Sequence, residues 1–406
     1  MKTKPLILLA GLVMLGVQSF SQSRDAIGQT YTPNVITTAV PFVSIAPDAR
    51  GGSMGDCGVA SDADVYSMHY NPAKYTFMED DMTFGLGYSP WLEGLGMNMD
   101  MNLAYLAFAK KLNSQSALGA TLRYFNCGNI TFRDITGTSL GDFRPNEWAL
   151  DVAYSRMMTE YLSGAVAGRF IYSNLTGNMI DGASIGWSVA ADVAVYYKRP
   201  VEWFRDMDAE FSWGVNVNNI GSKVSYNNTS IRKDFIPTTL RFGPSLKIDI
   251  DEYNSMAFMV DVTKLLVPSP PLYAQDSTGV YVIDEGYSDE VPVVVGMIQS
   301  FYDAPGYCYD DYNNKIKCGK FYEELCEYNV GIGVEYWYNK VFAVRAGYFN
   351  EAAMKGNRKY VTLGASLKYN VFGLDVSYLV PVVQTGTNPL ENTLRFNLTY
   401  GISATK

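Results

Sequence analysis

A single histidine stands among the 406 residues, and that fact bounds the chemistry the chain could carry out. A serine or cysteine hydrolase needs an imidazole placed to take the nucleophile's proton. Any such activity would have to pass through His69, two residues before Asn71-Pro72 in a stretch of small residues. No nucleophile motif surrounds it, so His69 reads as a structural residue. Zinc usually draws several His or Cys ligands, and that spacing does not occur. The five cysteines contain no C-x-x-C pair: Cys57 and Cys127 stand apart, while Cys308, Cys318 and Cys326 crowd one acidic stretch. In an oxidising compartment such crowding predicts a disulfide, with three pairings open among them, Cys308 with Cys318 being one. The chain therefore reads as a non-enzyme with no metal and no cofactor.

What remains is recognition chemistry. Residues 266–327 hold eleven acidic side chains against three lysines, a net of -8, and eight tyrosines that include Tyr302, Tyr307, Tyr309 and Tyr312. Tyrosine gives rigid amphipathic contact area at low entropy cost, so this stretch is a candidate docking surface. The plainer alternative is a solvated, cation-binding loop among lipopolysaccharide head groups. A second candidate patch is Ser89-Pro90-Trp91-Leu92-Glu93-Gly94-Leu95, read as a short loop with Trp91, Leu92 and Leu95 exposed.

The elements that must carry these surfaces announce themselves at the C-terminal end. Val361, Leu363, Ala365 and Leu367 alternate with Thr362, Gly364, Ser366 and Lys368. Leu394, Phe396, Leu398, Tyr400 and Ile402 alternate with Arg395, Asn397, Thr399 and Gly401. A strand sends successive side chains to opposite faces. Alternation over about ten residues, with charge on one face only, is the pattern of a transmembrane β-barrel. The 14% aromatic and 18% charged composition agrees, and the acidic balance, net -9, excludes a nucleic-acid partner. At the other end Lys2 and Lys4 precede an apolar run from Leu6 to Val17, which reads as a signal peptide over 1–21 with cleavage before Gln22.

Alternating segments number fifteen, and a single-chain barrel of this type needs an even count. Short joins such as 111–115, 250–253 and that at Asn370 read as periplasmic turns; long ones such as 128–145 and 382–390 read as surface loops. Counting from both ends makes 266–327 one extracellular excursion, with 291–301 (VPVVVGMIQSF) a strand inside it. The expectation is an all-β, antiparallel barrel of fourteen strands over 80–406. Residues 22–79 form an N-terminal segment and hatch inside its lumen. Inward charges of both signs, Asp100, Arg123, Asp151, Arg169, Asp192, Arg241, Lys247, Asp261, Glu335, Arg345, Lys368, Asp375 and Arg395, should pair and brace the interior.

The hatch stretch "ASDADVYSMHYNPA", with its Asn71-Pro72-Ala73 triplet, resembles that of the FadL-like outer-membrane family, and fourteen is that family's strand number. "PDARGGSMGDCGVA", "EYWYNKVFAVRAGYFNE", "KYVTLGASLKYNVFGLDVSYLVP" and "NPLENTLRFNL" look, in order, like the PorV family of the type IX secretion system of Bacteroidetes. That resemblance implies an outer-membrane protein that takes cargo, by its C-terminal secretion domain, from the translocon barrel to the surface attachment complex. A FadL-like channel for hydrophobic small molecules is the rival reading. Deacylation of lipid A, which the resemblance also raises, comes third and meets the His69 objection. The Cys-bearing acidic insert 303–327 lies outside the matching segments.

Overall fold

The structure, a computed structural model, describes residues 34–91, 101–133, 136–177, 182–204, 207–227, 233–309, 315–382 and 393–403. The expected signal peptide lies outside them. Period-two alternation produces a closed barrel of fourteen antiparallel strands, running from Met82–Trp91 to Leu394–Ile402. Each strand pairs with its neighbours in sequence, and the first and last close the seam, with Leu86 opposite Leu398. The strands Asn254–Leu265 and Tyr328–Tyr338 have the bounds that the alternation predicts, although sixty-two residues separate them. Along the last strand Phe396, Leu398 and Tyr400 face outward while Arg395 and Asn397 are buried inside. No helix among the described residues is long and apolar enough to cross a membrane; the strands cross it.

Turn chemistry fixes the two ends. Asn339 and Lys340 both take left-handed backbone angles, φ 51 and 52, in the join between Tyr328–Tyr338 and Phe342–Asn350, and a turn of that hand matches the twist of a tight hairpin. The joins at 114–115, 158–161, 250–253 and 370–371 gather at the same short-turn end. The opposite end carries the long connections.

The excursion 266–327 leaves the wall between two paired strands. It contains two hairpins, Leu272–Gln275 with Tyr281–Glu285 and Tyr307–Tyr309 with Lys315–Lys317, and two short helices, Val293–Gln299 and Lys320–Leu325. The first helix corrects the expected strand at 291–301. Pro292 opens it, and the residues it turns inward, Gly296, Gln299, Ser300 and Asp303, are spaced at three and four, a helical period that the run of valines conceals. Fourteen strands remain.

The lumen is filled by residues 34–81, and there the core forms. Near the long-loop end Phe42 and Val43 pack with Leu103, Phe125, Ile171 and Ile236; nearer the other end Val65, Met68 and Tyr75 pack with Tyr105 and Ala109. At Gly55, φ +67, backbone lies on backbone: an added Cβ would stand 2.5 Å from the carbonyl oxygen of Tyr348, so only glycine fits.

Candidate functional site

The hatch is bolted to the wall by the Asn71-Pro72-Ala73 triplet. The Asn71 Oδ1 accepts from Ala73 N at 3.0 Å and so caps the turn Pro72–Phe77. Its Nδ2 donates to the carbonyls of Val59 and Val195. The carbonyls of Pro72 and Ala73 accept the hydroxyls of Ser155 and Ser163, at 2.6 and 2.7 Å. One short segment thereby satisfies its own backbone and ties itself to three strands.

Charge pairs complete the fastening. Arg50 forks onto Glu335 at 3.0 and 2.9 Å and reaches Asp64 at 2.9 Å, and Glu335 also takes Arg345. Across the wall Arg169 meets Asp151 and Asp192. Arg123 has no carboxylate among its bonded partners; it donates to the carbonyls of Phe42, Val43 and Ile45. Lys368, expected inward, is exposed at the short-turn end, where the hatch no longer covers the wall; Asp100 lies outside the described residues.

His69 belongs to this packing. Its Nδ1 accepts from the Arg123 guanidinium at 3.2 Å and its ring edge meets Tyr70. Burial and the nearby arginines, Arg123 foremost, hold it well below the usual histidine range, so it is a neutral acceptor. No group of three His, Cys, Asp or Glu able to hold a metal occurs among the described residues.

The long-loop end carries a second buried polar network, which latches the excursion to the barrel. Glu323 accepts from Gly306 N, Tyr307 N, Asn34 Nδ2 and Lys355 Nζ, all within 3.0 Å. Glu327 takes Lys264 at 2.6 Å, Lys355 at 2.9 Å and the Ser269 hydroxyl at 2.5 Å. Glu324 takes Lys264 and Ala304 N. Three buried acids thus share two lysines, and a fourth, Asp303, lies beside them, where it accepts from Ser269 N and Gln299 Nε2. Burial, with Glu327 and Glu324 adding to it, pushes the Asp303 carboxyl up to about 7, whereas Lys355 and Lys264 outweigh burial and hold Glu327 below its ordinary value. Lys264, Lys355, Ser269 and Asp303 do not stand out in the sequence, because they are scattered over three loops and a strand end; the only local sign is the spacing of Glu323, Glu324 and Glu327 on one side of a helix.

The expected docking residues are divided. Trp91 is not on an exposed loop: it ends the first strand on an inward register and packs edge-on against Phe125 with centroids 5.7 Å apart. Leu92, Leu95 and Tyr312 lie outside the described residues. Tyr302 is half exposed, Tyr307 is half-buried, and Tyr309 ends the strand that pairs with Lys315. A disulfide joins Cys308 to Cys318, leaving Cys326 free.

A family model described as type IX secretion system protein PorV matches residues 20–272. The chain belongs to the PorV family. The match takes in the hatch and the first nine barrel strands and stops at the beginning of the excursion. Among solved structures the Pseudomonas putida toluene transporter TodX is 11% identical over 92% of this chain and all of its own, with a TM-score of 0.45. The Ralstonia pickettii toluene transporter TbuX is 14% identical, covering 87% and 96%, at 0.44. A Pseudomonas aeruginosa FadL homologue is 10% identical, covering 91% and 100%, at 0.40. At these identities the likeness concerns architecture alone. No curated protein matches the chain.

Proposed function

We propose that this PorV-family barrel is a carrier of the type IX secretion system in the outer membrane. It receives secreted cargo by the C-terminal secretion domain at the translocon barrel and hands it to the surface attachment complex, acting by binding and without catalysis. The observation that carries this reading, beside family membership, is the occupied lumen. Residues 34–81 fill it and are fastened by the Asn71 triplet and by Arg50, so a folded domain has no room inside. Recognition then belongs to the long-loop end, where the latched excursion stands. A lumen braced by buried ion pairs also favours this role over passage of hydrophobic small molecules.

Affinity purification of the full chain from native outer membrane tests it. Co-purification with the translocon barrel and with cargo bearing the secretion domain is the expected result. Recovery of neither, together with tight retention of fatty acid by the purified barrel, would return the channel reading.

A further inference from the structure

A hollow interrupts the lipid-facing side of the wall. It lies over the seam and the strands beside it, Leu394–Ile402, Met82–Trp91, Met101–Asn113, Ser116–Cys127 and Asn146–Met157, and encloses about 460 Å³, a volume in the range of small-ligand sites. Phe84, Leu86, Phe108, Leu122 and Leu398 form its sides. It exists because Ala120 points outward between Phe108 and Val152, where the surrounding outward positions carry large side chains. Its floor is closed wall, since every residue from Leu118 to Asn126 is paired on both sides. Two cations stand at its short-turn edge. Lys110 faces outward beside Met82 and Leu118, and Arg156 faces outward beside Ser116 and Gly164. Both are exposed, and neither has an ion-pair partner among the described residues. Leu118 and Ser116 lie two and four residues from Ala120, so the cations stand about 7 and about 14 Å along the strand from the hollow's floor. Two strand widths and two residues separate them, about 12 Å between Cα atoms, a span that two long basic side chains can close around one phosphate. The acids of this end point elsewhere. Asp80 accepts the Ser403 hydroxyl, Asp81 precedes the first strand with its carbonyl on Lys111 N, and Glu79 and Glu160 lie outside the strands.

Position and charge select the occupant. An outward face at the short-turn end meets the periplasmic leaflet, whose acyl chains run along the wall from the level of the strand ends toward mid-membrane. We propose that one glycerophospholipid of that leaflet is held here, its phosphate between Lys110 and Arg156 and one acyl chain in the hollow. The chain runs from the cations past Phe108 and over Ala120 to the level of Leu86 and Leu398. Burial against a fixed hollow and two charge-assisted contacts separate this lipid from those that slide over the rest of the wall. Arg199 supplies the contrast: it is exposed and outward at the same end, but on Gly186–Val201, away from the hollow. The site requires only that the barrel sit in the outer membrane with its short turns in the periplasm, whatever the barrel carries.

Native mass spectrometry of the full-length barrel, delipidated in detergent and titrated with phosphatidylglycerol, tests the site. One adduct should form first and outlast the others. Lys110→Gln/Arg156→Gln should weaken it about thirtyfold, the loss of two basic contacts to a lipid. Ala120→Phe, which fills the hollow and leaves the cations in place, should weaken it about tenfold. Arg199→Gln should leave it unchanged. Glycerol phosphate, which lacks the chains, and diacylglycerol, which lacks the phosphate, should fail to displace it at equal concentration. All three variants change side chains that face lipid, and the heat-resistant barrel band controls for folding. The wild-type titration and the two displacements remain decisive even if a variant fails to insert. A series of equivalent wild-type adducts would mean annular lipid only and would overturn the site. An equal loss in Arg199→Gln, or displacement by either half-molecule, would overturn it as well.

Discussion

Leu398 and Asn397 are neighbours in one strand, yet they meet different solvents. Leu398 sits mid-strand between Leu86 and Leu374 on the outer wall; Asn397 is buried and its Oδ1 accepts Ala49 N at 2.7 Å. Leu398→Arg should cost about 2–4 kcal/mol of barrel stability if it lies near the bilayer midplane, whereas Leu398→Phe should be close to neutral. Urea unfolding in lipid vesicles measures both, and equal midpoints would move this strand's register or depth. A second residue-scale expectation concerns Asp303. Its carboxyl is raised to about 7, so the latched state binds more protons than the released one between that value and the ordinary carboxyl range near 4. Acidifying from pH 8 toward 5 should therefore tighten the latch. Below that, protonation of Glu327, whose value is lowered, should loosen it again. Hydrogen exchange of residues 293–327 against pH follows this directly; Asp303→Asn should be tighter than wild type at pH 8 and lack the upper transition. Protection relative to intrinsic amide exchange that stays flat from pH 8 to 5 in the wild type would remove Asp303 from the latch.

At the scale of elements, legibility followed the medium each element faces. Strands with lipid outside and hatch inside carry two solvents on two faces, which is why the alternation over Val361 to Lys368 falls within the observed Lys359–Tyr369. The helix at Val293–Gln299 misled because hydrophobic patterning assumes that apolar residues go inward, and here the inward set is polar. Trp91 misled for a related reason: Pro90 and Gly94 suggest a loop, but the strand runs two residues further and its register turns the ring into the lumen. The latch was hidden because Lys264, Ser269, Asp303 and Lys355 become neighbours only through the fold. The disulfide between Cys308 and Cys318 closes ten residues of chain, a length for which loop entropy gives about 3 kcal/mol. That contribution is local to one hairpin. Cys308→Ser/Cys318→Ser should raise proteolysis between 303 and 319 and leave the temperature of barrel unfolding unchanged; a fall in that temperature would mean the excursion helps hold the wall.

On the scale of the whole molecule, the hatch is what separates a sealed barrel from a pore. Its groups are paired with the wall from Asn397 near one end to Lys198, which binds Asp62, nearer the other. The intact chain should carry little ionic current across a planar bilayer, and replacing residues 46–77 with a short Gly-Ser linker should open a steady conductance. A wild type as leaky as the excised variant would show that the hatch does not seal. The path of this segment has one more consequence. The described chain begins beside the excursion, where Asn34 bonds Glu323, and leaves the hatch at the opposite end, where Asp81 bonds the carbonyl of Ile402. It is a thread drawn through a ring, and the ring is closed by pairing the first strand with the last one made. Such a thread cannot be set in place after closure without passing a free end through the bore. Unless a free end is drawn through the bore, this segment lies inside an open sheet until the final strand pairs, and the closing of the seam is then also the moment at which the plug becomes captive.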